Sequence, residues 1–141
     1  MDKHGYLGVY LVSSKTIRCA IDNAKKSFYR SFNSVFGKIG RSAYEHVMVQ
    51  LLKTKYVPVL LYGLEVCSPT KAQIKSMDYA ISSCYGKMFN VKSDENVRLC
   101  MDMFDSVDVN TMLTKRRQKF FDGIEQLNNL LCQITMSCNC K

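Results

Sequence analysis

Three aspartates in "MDMFDSVD", Asp102, Asp105 and Asp108, stand three residues apart. On a helix that spacing lines them along one face, and clustered carboxylates are the donors a magnesium ion takes. The helix expected there ends near Asp105, however, and magnesium sites usually draw on substrate phosphates as well. A plain acidic helix end is the better reading. The two histidines, His4 and His46, lie 42 residues apart with no acid at metal-ligand spacing, and His46 reads as a surface or boundary residue of a helix. The "SCNCK" tail carries a C-x-C, but no second C-x-x-C and no paired histidine completes a zinc set. Neither phosphate-cradling glycine motif occurs. No residue is assigned to catalysis, to a metal or to a small-molecule substrate.

Glu65 is the one acid in "KYVPVLLYGLEV", residues 55–66, a kinked apolar segment too short to span a membrane. A helix end, an ion pair with a nearby lysine or an interface contact would each explain it.

The remaining chemistry is binding. Lys25, Lys26, Arg30, Lys38 and Arg41 share one expected helix and its exit turn, with Tyr29, Asn33 and Ser34 interleaved. Lys26, Arg30 and Asn33 step along one line that ends at Gly37, where a backbone could approach closely. These residue types contact phosphates and sugars. Lys115, Arg116, Arg117 and Lys119 form a second basic cluster, with Asp122 and Glu125 nearby to offset it. The net charge is +8, and all of the excess lies in the first half: residues 1–75 hold 12 Lys/Arg against 4 Asp/Glu, and residues 76–141 hold 8 of each. Such an excess suits a polyanion, whose condensed counterions are released on contact, or it is a solvated basic surface.

The elements that must carry these groups are mostly helical. The 141 residues are 47% apolar and 23% charged, with two prolines, enough for one domain with a core and no linker. The seven cysteines, in a chain whose N-terminus lacks the secretory pattern, are expected to be buried thiols in a reducing compartment. "YLGVYLV" (6–12) is predicted as a short strand, paired within the chain or lacking its partner. A helix is predicted from Thr16 to Ile39, with Ile17, Ile21, Ala24, Phe28, Phe32, Val35 and Ile39 as its stripe and Gly40 as its stop. "SAYE" fits a capping box at Ser42 for a helix over 43–55, with Val47, Leu51 and Leu52 inward and Ala43 and Met48 on its edges. Pro58 should break or kink the chain at Val57, and "PVLLYGLEV" should restart as a short buried helix, with a buried strand as the rival reading. Thr70 should cap a helix over 71–89. Another is expected over 94–105, and a last one over 110–132 capped by Asn110 or Ser106. The expected fold is mainly α: one short N-terminal strand followed by a bundle of five to six helices.

"YLGVYLVSSKTIRCAIDNAKKSFYRSFNSVFGKIGR" followed by "LLKTKYVPVLLYGLEVC" resembles the C-terminal part of reverse transcriptases of LINE-type, non-LTR retrotransposons. The match covers about residues 5 to 70 well and the helices to about 121 more loosely. The resemblance implies a remnant of the last palm strand at 1–12, a helical thumb-like domain at 13–132 and a disordered tail at 133–141. It places Tyr6, Leu7, Gly8 and Val9 near the primer, and Lys25, Lys26 and Arg30 along the template–primer duplex. The implied partners are an RNA template paired with a DNA primer, and the palm and fingers, expected to lie outside this chain. The family's polymerase uses magnesium held by an Asp-Asp motif, and this chain has no Asp-Asp pair. A fragment that binds duplex backbone without polymerising is therefore expected, acting in cytoplasm and nucleus. The alternative is a domesticated helical protein-interaction module, in which "PVLLYGLEV" and the Met-rich helices form the groove.

Overall fold

The structure is a computed structural model that describes residues 3–6, 9–12, 18–39 and 45–138, with side-chain surroundings for 20–39 and 45–127. Six α-helices dominate the described residues: α1 (Ile21–Ile39), α2 (Glu45–Leu51), α3 (Val57–Leu60), α4 (Lys71–Phe89), α5 (Asp94–Met103) and α6 (Val109–Cys138). The mainly helical expectation is met. Three short extended pieces, β1 (Lys3–Tyr6), β2 (Val9–Val12) and β3 (Arg18–Cys19), pair antiparallel in the order β1-β2-β3. Tyr6 lies opposite Val9 and Leu11 opposite Cys19. The strand expected over 6–12 takes in Leu7 and Gly8, which lie outside the described residues, but the pairing on either side of them is internal to the chain.

The first helix begins at Ile21, five residues later than its apolar period suggests, because Arg18–Cys19 is extended. Phe28 and Phe32 of its stripe are fully buried, whereas Ile39 is exposed. Phe32 stacks on Phe36 at 5.5 Å and meets the Tyr56 ring edge-on at 6.1 Å. The Ser42 capping box and Gly40 lie outside the described residues. In α2 the buried residues are Met48 and Val49, and Val47 is 49% exposed. The inward face is thus rotated about 100° from the predicted one.

Val57 is helical (φ −60°, ψ −43°) despite the proline after it. A π-helical segment, Leu52–Tyr56, precedes α3, and the Val57 N–H donates to the Leu52 carbonyl. Proline in an α-helix clashes with the carbonyl four residues back, here Thr54. One wide turn moves that carbonyl aside, so the predicted break becomes a bulge and the axis continues. After Leu60 the chain turns through Gly63, whose φ of 77° lies in the left-handed region that a Cβ disfavours. Leu60, Leu61, Leu64 and Cys67 are buried, whereas Val59, Tyr62 and Val66 face outward, so the segment is apolar on both sides and covered on one.

Thr70 caps α4 in a full capping box with Gln73. Helix α4 is the central element: Met77, Ala80, Ile81, Cys84, Tyr85 and Met88 are buried against α1, α2, α5 and α6. Burial pushes the Cys84 thiol up to about 12, so it stays protonated near neutrality. Cys84 and Cys100 are free thiols, while Cys67 is disulfide-bonded, which corrects the expectation of thiols throughout.

The start of α6 is held by carboxylates that sequence reasoning passed over. Asp108, immediately before the helix, accepts from the Thr111 N–H at 3.0 Å and from its hydroxyl at 2.6 Å. Asp78 of α4 accepts from the Val109 N–H at 2.9 Å. Neither Asn110 nor Ser106 fills that place. Helix α6 then runs to Cys138, beyond the predicted end at 132 and into the expected tail.

Candidate nucleic-acid interface

Helices α1 and α4 lie side by side and run in the same direction. Lys25 meets Ser76 and, further along both helices, Asn33 meets Lys87. The position of each basic residue follows from that seam. Lys25 lies on it: its ammonium donates to the Ser76 hydroxyl at 2.8 Å and is 3.9 Å from Asp22. It is half-buried and its charge is partly used within the fold. Lys26 and Arg30, one step around the helix, are exposed, as are Asn33 and Lys38. Asn33 accepts a hydrogen bond from Lys87 at 3.2 Å, which brings an α4 cation onto the α1 line. Arg41 lies outside the described residues. Of the six predicted contacts, Lys26, Arg30 and Asn33 form an exposed line, Lys38 is exposed but lies about 80–140° around the helix from them, and Lys25 belongs to the seam beneath.

The second basic cluster divides. Lys115 and Lys119 are exposed. Arg116 makes an ion pair with Glu65 at 3.0 Å. Arg117 donates to the backbone carbonyls of Glu65, at 3.3 Å, and of Cys67. Glu65 is therefore explained by an ion pair, with an arginine of α6 in place of a lysine. Two of the four cations in this cluster fasten the turn after α3. Their signal was present in the sequence: Val109, Met112 and Leu113 form the inward stripe of α6, and Arg116 and Arg117 continue it.

The acidic residues do not make a metal centre. Asp108 is turned to Thr111, whose hydrogen bonds hold its carboxyl below the usual range. The Lys53 ammonium donates to the Phe104 and Asp105 carbonyls at the end of α5, which uses the backbone of this stretch rather than its carboxylates. Among the described residues, no three His, Cys, Asp or Glu side chains are grouped as a metal ion requires. Among the described residues no helix is long and apolar enough to cross a membrane.

Sequence reasoning missed the contribution of α4. Tyr79, Ser83 and Lys87 share the α4 face beside α1, and Tyr29 of α1 lies close to both Ser83 and Tyr79. Burial pushes the Tyr29 phenol up, its neighbours Cys84 and Tyr79 add to this, and the Ser83 hydroxyl opposes it. The α4 residues carry one charge among three polar groups, so a search for basic clusters passes over them. Comparison with protein-family models, with curated proteins and with solved structures finds no match for this chain.

Proposed function

We propose that this chain binds the sugar–phosphate backbone of a nucleic-acid duplex, of the template–primer kind handled by LINE-type reverse transcriptases after the palm. The observation that carries the reading is the exposed line Lys26–Arg30–Asn33 on α1, joined by Lys87, with Lys38 exposed near the end of the same helix. No carboxylate occurs between Lys26 and Lys38 in the sequence. Exposed cations held on a helix are what phosphate contacts need. The sequence resemblance supports the same reading. Polymerisation forms no part of the proposal, because the Asp-Asp pair is missing.

The test is fluorescence anisotropy with an RNA–DNA hybrid across a salt series. Affinity should fall steeply with salt and be nearly blind to sequence. Lys26→Glu with Arg30→Glu should weaken binding and flatten the salt slope by about 2. Lys115→Glu with Lys119→Glu, which also leaves the fold's internal contacts intact, should do much less. Salt-independent binding, or the reverse ranking, would overturn the proposal.

A protein-interaction module is the second reading, and one observation favours it: Tyr62 and Val66 are each 59% exposed beside Val59, on a segment whose other side is buried. A helical dimer in light scattering, with no affinity for the hybrid, would decide for it.

A further inference from the structure

A groove of about 330 Å³ opens beside the α1–α4 seam, between α4 and the start of α5. That size is at the lower end of small-ligand sites, which run from about 300 to 1,000 Å³. Its floor is Gly86 and Val97. A Cβ built on Gly86 would lie 3.1 Å from the Val91 carbonyl and 3.6 Å from Val97, so the turn after α4 is seated directly on the helix. Tyr79 stands at one end and is 70% exposed, an unusual state for a large ring on a helix whose opposite face forms the core. Lys87 and Lys92 line the groove, both exposed, and Asp94 is its one acid. Along α4, Tyr79 and Lys87 are about 12 Å apart. The Ser82 hydroxyl, between them, donates to the Tyr79 carbonyl at 3.0 Å and keeps its lone pairs for a ligand donor.

An exposed aromatic face, a shallow slot and two cations beyond it form the combination that binds unpaired nucleotides: a base stacks and a phosphate meets the ammonium groups. The hydrogen bond from Lys87 to Asn33 connects the groove to the α1 line. We propose that the groove takes an unpaired nucleotide of a strand leaving the duplex, with its base on Tyr79 and its phosphate between Lys87 and Lys92. This inference rests on the duplex-binding reading and adds a site for single-stranded nucleic acid next to it.

The test compares a blunt RNA–DNA hybrid with the same hybrid carrying a short single-stranded extension, again by anisotropy. The extension should tighten binding by between about 5-fold and 150-fold, the range for one stacked base. Tyr79→Ala should abolish that gain, while Tyr79→Phe should keep it. Lys26→Glu with Arg30→Glu should weaken both probes. An extension that adds nothing, or a gain that survives Tyr79→Ala, overturns the inference and leaves the duplex reading standing. Tyr79-dependent binding of the single strand without any binding of the blunt hybrid sustains the groove and overturns the duplex reading. Failure to bind either probe overturns both.

Discussion

Arg116 and Arg117 sit side by side and do different work. The Arg116–Glu65 pair is partly exposed, and such pairs contribute about 0–1 kcal/mol. Arg117 serves two backbone carbonyls in a turn that carries three buried leucines, and removing it leaves those acceptors unpaired. Arg117→Ala should therefore cost about 1–3 kcal/mol in urea denaturation. Lys115→Ala, two residues away and exposed, should stay within about 0.5 kcal/mol. Equal losses would mean that the clamp contributes nothing. In the sequence all four cations of "KRRQK" look alike. Only the register of the apolar stripe separates 116 and 117 from 115 and 119, and composition is blind to register. The same limit hid Lys25, whose position on the seam depends on α4, a helix 51 residues along the chain.

At the scale of elements, the ends of helices were harder to read than their middles. Thr70 with Gln73 was visible because a capping box is a local pattern. The start of α6 is shared between a local aspartate, Asp108, and a distant one, Asp78. Their titrations oppose each other. Hydrogen bonds from Thr111 hold the Asp108 carboxyl below its ordinary value, so its stabilisation is present above that ordinary value and is lost as pH falls through the lowered one. Burial raises Asp78, the Val109 N–H acts against burial, and the nearby Asp108 charge adds to the rise. Asp78 therefore favours the fold most when protonated, and that part fades as pH rises through its raised value. Asp108→Ala should lower stability by about 0.5–2 kcal/mol at neutral pH. In thermal melts the gap from the unaltered protein should close as pH drops below about 4. A gap independent of pH would show that the carboxylate charge is not what caps the helix. The proline was legible as a disturbance but not as a bulge, because the choice between breaking and widening depends on the neighbours of α3. Leu52, Tyr56 and Val57 are all buried there, and a break would have pulled them from the core.

Across the whole molecule, the helical class followed from apolar spacing that recurs every three to four residues. What spacing could not supply was rotation: Val47 was expected inward and Val49 was not, because α2 offers apolar residues on two faces. One core joins all the helices from α1 to α6, and Phe32 lies within it, in contact with Phe36 and Tyr56. Phe32→Ala should cost about 3–5 kcal/mol. It should also lower a single cooperative transition seen alike by near- and far-ultraviolet dichroism; separate transitions would mean that α1 folds apart from the rest.

Five of the polar ties between elements share one further property. Lys25–Ser76, Lys53–Phe104, Asn33–Lys87, Glu65–Arg116 and Cys67–Arg117 are separated by 51, 51, 54, 51 and 50 residues. A ribosome adds about 5–20 residues per second, so each tie waits between about 3 and 10 seconds for its second half to be made. During that interval Leu60, Leu61 and Leu64 have left the ribosome before the helix that fastens their turn exists. The newborn chain passes through a period of stickiness that the finished molecule does not show, and cellular chaperones would meet it there.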